Sequence, residues 1–261
     1  MIADDPHLVL RLAESERDLQ AAQRLRYRVF VEELGGDGDL VDHSARLEAD
    51  DFDSHCDHLL LIDRRRDAAA LDDVVGVYRL LPGDRAETCG RFYTEGEYDL
   101  GPLLRSGRRL LELGRSCVHA DYRRGPAVFL LWGGLADYVA ARGTELLFGT
   151  ASFHGTDVAA LAQPLGFLHH NHLAPEDLRV RARPESGARM DLVPADRVDR
   201  REAMLAMPPL IKAYLRLGGM VGEGAWIDHA FNTIDVCLLV DTARMSVKHR
   251  DLYSRRQAVA E

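Results

Sequence analysis

Cysteine is scarce in this 261-residue chain: Cys56, Cys89, Cys117 and Cys237 are the four, and no two stand as C-x-x-C. That pattern gives neither a zinc ribbon nor a disulfide framework, so a reducing compartment is expected. Lysine is nearly missing, Lys212 and Lys248 being the two among 33 basic residues. The remaining basic residues are arginines, whose planar fork grips carboxylate and phosphate. The 42 acidic residues leave a formal charge of −9, which excludes electrostatic wrapping of nucleic acid as the main activity. Long apolar runs are also missing. The longest, residues 127–136, is far short of the roughly 20 that cross a bilayer. The opening MIADDPH is acidic and lacks an apolar stretch, so no signal peptide is expected. A cytoplasmic protein is expected, one that would meet a lipid from the surface of the inner membrane. No Gly-x-Ser-x-Gly elbow occurs, which removes the common serine-hydrolase reading.

What is present is 46% hydrophobic and 29% charged sequence, enough to bury the core of one large domain or two small ones. Strands are expected at 8–12, 58–62, 74–81, 110–118, 145–152 and 233–240. A helix over 18–34 follows a Ser15 cap and stops at Gly35-Gly36. Further helices are expected at 127–141, at 157–165 (stopped by Gly166), and at 204–217, broken near Pro208-Pro209. The acidic stretch 36–53 reads as a loop. Strands and helices alternate as β, α, β, β, β, α, β, α, which excludes a plain bundle or sandwich. The fold class is therefore α/β (α+β): a mixed twisted sheet flanked by helices. The texture changes near Pro194, giving a core over 1–194 and a C-terminal extension over 195–261.

The most informative stretch is a strand, residues 110–118, running into Tyr122-Arg123-Arg124-Gly125 and at once into an apolar helix. Such a junction presents unpaired backbone N–H groups at a positive dipole end and suits a phosphate or pyrophosphate. Gly125 permits close approach and Arg123 or Arg124 adds charge. The alternative is an ordinary helix start with solvated arginines. Two His- and Asp-rich clusters, Asp50 to His58 and His169-His170-Asn171-His172, lack the spacing of a known zinc motif, so no metal is expected.

This strand–turn–helix resembles the acyl-thioester site of the GNAT acyltransferases, whose loop reads Gln/Arg-x-x-Gly-x-Gly/Ala. Here Tyr122 holds the first position, and Gly125 and Ala127 the others. Leu25-Arg26-Tyr-Arg-Val-Phe-Val-Glu32, the pair Asp50 and Asp53, Arg79, and Glu112-Leu-Gly-Arg115 are similar to acyl-homoserine-lactone synthase segments. Two departures stand out: no tryptophan follows the first helix, and Gly114 replaces a serine. A tighter likeness, from about Leu8 to Val240, is to the ornithine-lipid N-acyltransferases. It rests on Cys56-Asp-His-Leu-Leu60, Glu112-x-Gly-Arg-Ser-Cys117, Phe148-Gly-Thr-Ala-Ser-Phe153, Pro208 to Gly218, and Phe231-Asn-Thr233.

The resemblance implies a GNAT-like fold whose sheet opens at 112–118 for a phosphopantetheine arm. It implies transfer of a 3-hydroxyacyl group from acyl carrier protein to the α-amine of L-ornithine, with glutamine as a variant acceptor. The arm belongs to the co-substrate, and no other cofactor is expected. Glu112 would be the base, or else a salt-bridge partner of Arg115 or Arg79. Arg115 would hold the acceptor's carboxylate or a structural ion pair. Asp50, Asp53, Arg79 and Arg26 would bind substrate or organise the site. Val118, Arg123, Arg124, Gly125, Ala127 and Ser152 would line the arm and acyl chain, with backbone N–H groups after Val118 holding the oxyanion. Arg105, Arg108, Arg109, Arg123 and Arg124 would offer an acidic carrier a basic face. The tail 244–256 would either touch an anionic membrane or form a disordered terminus.

Overall fold

The first strand, β1 (Leu8–Leu12), leads through Ser15 into α1 (Glu16–Arg26). The Ser15 hydroxyl accepts the Asp18 N–H, satisfying a donor that the first turn of a helix leaves open. The computed structural model describes residues 5–38 and 41–244. Beyond Arg26 the helix widens into a π-helical stretch, Tyr27–Glu33. This corrects the expectation of one α-helix over 18–34: across seven residues, apolar spacing does not distinguish a pitch of 3.6 from a wider one. The acidic stretch expected to be loop holds a short hairpin, β2 (Val41–Asp42) and β3 (Leu47–Glu48).

Then follow β4 (Asp57–Asp63), β5 (Val74–Pro82), α2 (Gly83–Cys89), β6 (Tyr98–Asp99), α3 (Gly101–Arg105), β7 (Leu110–Val118), α4 (Ala127–Arg142) and β8 (Leu146–His154). The second half adds α5 (Ala162–His172), β9 (Arg181–Ala182), β10 (Gly187–Ala188), α6 (Arg200–Ala206), α7 (Pro209–Arg216), β11 (Met220–Val221), β12 (Ala225–Asp228) and β13 (Thr233–Asp241). The break expected near Pro208-Pro209 is the junction between α6 and α7. The stop expected at Gly166 is absent. Helix α5 begins later and runs through that residue, which is buried against the segment bearing Val193 and Val198. Its missing side chain serves packing rather than termination.

The chain packs as two units interleaved in sequence, Met1–Gly90 with Leu113–Gly143, and Arg91–Glu112 with Thr144–Glu261. In the first, β1 pairs antiparallel with β4 and β4 with β5, and β7 lies beside β5. Side chains alternate across a strand, and the two helices use the alternation. Ala21, Ala22, Leu25 and Val29 pack with Leu60, Ile62 and Val77. Helix α4 instead approaches Leu10 and Leu59 so closely at Gly134 that a Cβ there would clash. The helices therefore cover opposite faces. Each fully buried aliphatic side chain of this kind contributes roughly 1.5–3 kcal/mol.

In the second unit β8 pairs antiparallel with β13 along its whole length, from Leu146 opposite Asp241 to His154 opposite Thr233. Strands β12 and β11 pair with β13, and β10 with β12. The opening residues of β7 add a parallel ladder to β8. The fold is a mixed α/β arrangement, as expected. Among the described residues no helix is long and apolar enough to cross a membrane.

Candidate active site

The four network residues expected from the sequence, Arg26, Asp50, Asp53 and Arg79, meet in the first unit. Arg26 comes inward from the last turn of α1, with no exposed surface. It donates to Glu48 at the end of β3, and to Asp53 at 2.6 Å. Arg79, from β5, donates to Asp53 at 2.9 Å and to Asp50 at 2.5 Å. Arg115, from β7, joins Glu48 and Asp50, each at 3.1 Å. Three arginines and three carboxylates thus alternate. Gln23 donates to Asp53 at 2.9 Å, and the His58 ring contacts the Asp53 carbonyl at 3.0 Å.

Burial alone would push the carboxylates of Glu48 and Asp53 up. The opposing field of Arg26, then of Arg115 at Glu48 and Arg79 at Asp53, outweighs it. Glu48 is held at about 2 and Asp53 well below the usual carboxylate range. Burial lowers His58, which keeps its imidazole neutral beside the network.

One backbone detail sets this geometry. Arg115 has φ of +47°, a left-handed conformation unusual for a side chain that is not glycine. In a regular strand residues 114 and 115 would face opposite sides. Here a Cβ on Gly114 would sit 3.7 Å from the Arg79 Nε, and the Arg115 guanidinium still reaches Glu48. The irregular turn re-aims Arg115 towards the carboxylates, as a bulge does, at a backbone cost of order 1–3 kcal/mol.

Glu112 lies in the second unit. Its strand pairs with β8 from Leu110 opposite Leu146 to Glu112 opposite Phe148, and the ladder ends there although both strands continue. The side chain is buried, and its carboxylate accepts the N–H groups of Tyr93 at 2.9 Å and Thr94 at 2.6 Å. Those amides open a one-turn 3-10 helix, Tyr93–Gly96, which Glu95 ties back by accepting the Phe92 N–H at 2.8 Å.

The remaining expected residues are placed as follows. Arg123 donates to the Val118 carbonyl at 2.9 Å and pairs with Glu33. Arg124 and Gly125 are exposed, and Ala127 is buried at the start of α4, whose first turn has no side-chain cap. Tyr122, at the loop's first position, spends its hydroxyl on Asp63 at 2.6 Å. Ser152 is exposed on β8, opposite Asp235 of β13. Arg108 is committed to Asp241 at 2.6 Å. The basic tail, residue 244 apart, lies outside the described residues.

With this geometry in hand, comparison with known proteins is decisive. Residues 25–133 match the profile described as the acetyltransferase (GNAT) domain. The chain is 64% identical over 247 residues to the L-ornithine N(alpha)-acyltransferase of Rhodobacter capsulatus, covering 95% of each. It is 44% identical to the protein of that name from Brucella abortus, over 94% of this chain and 88% of that one. The chain belongs to the L-ornithine N(alpha)-acyltransferase family. It is an acyltransferase. Among solved structures, the CoA-dependent acyl-homoserine lactone synthase BjaI superposes at a TM-score of 0.53 with 16% identity, covering 96% of this chain and 90% of that one. FeeM, an N-acyl amino acid synthase from uncultured soil microbes, also superposes at 0.53, with 11% identity over 96% and 98%. At such identities these two establish the fold alone.

Several site residues of this family member escape a sequence reading. Glu48 sits in an acidic stretch with many equivalent-looking neighbours, and nothing in its spacing separates it from Glu33 or Asp42. Gln23 has no titratable signature. The amides of Tyr93 and Thr94 carry no side-chain signal. A further acidic group gathers ligand-capable oxygens within 4.8 Å of one another, Asp228 and Asp235 from the paired strands β12 and β13 and Glu97 from far earlier in the sequence.

Proposed function

We propose that this protein transfers a 3-hydroxyacyl group from acyl carrier protein to the α-amino group of L-ornithine, giving a lyso-ornithine lipid. The observation that carries this reading is full-length identity, 64% over 95% of both chains, to a protein named for that acceptor. In the reaction the amine nitrogen attacks the thioester carbonyl. The C–N bond forms, the C–S bond breaks, and the sulfur leaves as the thiolate of the phosphopantetheine arm. The proton lost by nitrogen goes to Glu112, directly or through one water, an assistance usually amounting to ~10²–10⁴-fold. The two amide donors fix where that carboxylate sits.

Arg115 and Asp50 retain 14% and 13% of their side-chain surface, whereas Arg26 retains none. Arg115 and Asp50 therefore take the substrate-facing role, Arg115 meeting the acceptor's carboxylate, and Arg26 organises the site from behind. The N–H of His119, the first after Val118, is donated to the Val75 carbonyl at 2.9 Å and is not open to the developing oxyanion. The uncapped first turn of α4, with Arg124, takes the phosphate of the arm. That arm is a co-substrate's own, and no resident cofactor is invoked.

The test is direct. Purified protein is given L-ornithine or L-glutamine with the same 3-hydroxyacyl group on carrier protein or on CoA, and products are read by mass spectrometry with fragmentation. Nα-acylornithine from the carrier-protein donor is the expected result. Product solely from CoA would overturn the donor, and product solely with glutamine would overturn the acceptor.

A further inference from the structure

Among the described residues of the first unit, three large apolar side chains face solvent: Leu34, Val128 and Phe129, exposed by 44%, 39% and 68%. The Glu33–Arg123 ion pair ties the end of the helix bearing Leu34 to the loop that leads into Val128 and Phe129. Residues 125–136 carry no charge, and Arg124, just before them, is exposed. Exposed apolar side chains on two segments tied together in this way, with an exposed arginine beside them, suit a surface that another molecule covers. We propose that Leu34, Val128 and Phe129, rimmed by Arg124, seat the folded body of the acyl carrier protein.

This inference rests on the donor reading above and follows from the donor's covalent structure. The phosphate of a phosphopantetheine arm is esterified directly to a serine of the carrier, so the carrier's surface begins where the phosphate sits. Even a small, transient interface of about 500 Å² per side reaches roughly 13 Å from its centre. Val128 and Phe129 lie in the first turn of α4, only about 1.5–3 Å along the axis from its first residue. A phosphate at that turn brings both side chains beneath the carrier.

Charge favours the same occupant. On a chain of net charge −9 an acidic partner is best met by an exposed cation not already spent on a carboxylate, and Arg124, unlike Arg123, has no ion-pair partner among the described residues. An anionic membrane, to which each basic residue contributes about 1 kcal/mol, would gain little from a rim this small.

The test compares two thioester donors, 3-hydroxyhexadecanoyl carrier protein and the same acyl group on 4′-phosphopantetheine, which keeps the phosphate and lacks the carrier body, with wild type, Phe129→Ser and Leu34→Asp. Wild type should strongly prefer the carrier; equal use of both donors would refute the donor reading itself before any variant is made. Phe129→Ser should lower kcat/KM for the carrier-bound donor by roughly tenfold or more, as loss of an aromatic anchor does. Leu34→Asp should lower it less, and neither should change turnover of the phosphopantetheine donor. The inference fails if both donors lose activity alike, which would mean a packing defect, or if neither does. It fails equally if Phe129→Ser instead abolishes co-sedimentation with anionic vesicles, or dissociates a dimer in analytical ultracentrifugation, while carrier kinetics are untouched.

Discussion

Two buried carboxylate environments in this protein are held in opposite ways. In the first unit Glu48, Asp50 and Asp53 interleave with Arg26, Arg79 and Arg115, so side chains from five segments hold one another. In the second, Glu112 is gripped by two backbone amides of one neighbouring turn. In a lattice of paired side chains the loss of one member leaves each of its two neighbours with a single partner and the buried charge unbalanced. An amide cradle fixes a single group in place, each of its two donors claiming one carboxylate oxygen. The difference separates two jobs that a sequence motif lists side by side: building the site, and doing chemistry in it.

The sharpest way to break this distinction is Arg26→Ala. It would leave Glu48 with Arg115 alone and Asp53 with Arg79 and Gln23, one buried negative charge then going uncompensated, and breaking a buried pair costs about 3–5 kcal/mol. Against a total stability of roughly 5–15 kcal/mol, much of the protein should be unfolded or should unfold at far lower urea. A loss below about 1 kcal/mol in urea denaturation would show that the lattice is not structural. Glu112→Gln should behave in the opposite sense. The amide side chain keeps the shape but turns an NH2 towards one of the two donating amides, so stability should fall by about 1–3 kcal/mol, less than for Arg26→Ala, while kcat falls by ~10²–10⁴-fold with the KM for acyl donor little changed. Unchanged kcat would remove Glu112 from the chemistry and leave it a positioning group for the Tyr93 turn.

Acid sharpens the comparison further. The Glu48 pKa, ordinarily 4.5, is held at about 2 in the folded protein despite its burial. The unfolded chain therefore binds the extra proton first, and the unfolded state binds more protons across that window. Stability from this group is complete above pH 4.5 and is lost as pH falls towards 2. Urea midpoints measured at falling pH should drop through this range, and the drop should be shallower in Glu48→Gln. An identical slope in that variant would assign the acid sensitivity to other carboxylates.

How much of this was legible beforehand depends on the residue. The strand at Leu110–Val118 and the helix beginning at Ala127 were plain from the switch between period-two and helical spacing. Arg26, Asp50, Asp53 and Arg79 could be named as a set because family motifs carry them, yet the motifs do not say that Glu48 completes the set. That knowledge needs the β2–β3 hairpin, a feature too short for periodicity to show. The π-helical turn at Tyr27–Glu33 and the left-handed Arg115 were illegible for a related reason. Both are decided by tertiary partners, which override local preference. Glu112 was visible as a carboxylate on a strand, but its amide donors lie 18 and 19 residues away and have no side-chain signature.

The smallest expected effect concerns Gly114, which lies on β7 between the two environments' key residues, Glu112 and Arg115. A serine occupies this position in the lactone synthases that the segment resembles, and a tight site would make the glycine here a structural requirement. The space says otherwise. A Cβ would stand 3.7 Å from the Arg79 Nε and 3.8 Å from its nearer terminal nitrogen, ordinary van der Waals distances, and Gly114 is not among the residues with positive φ. Gly114→Ser should therefore fold normally, its melting temperature shifting by no more than about 2–4 °C, the change that 1 kcal/mol gives in a protein of this size. Its hydroxyl would lie within reach of Arg79, a guanidinium already committed to Asp50 and Asp53, so it has little to add. Thermal unfolding together with steady-state kinetics on ornithine decides the matter. A large loss of stability would mean that the lattice tolerates nothing beside Arg79, and a gain of lactone-forming activity would make this one position, rather than the lattice around it, the seat of specificity.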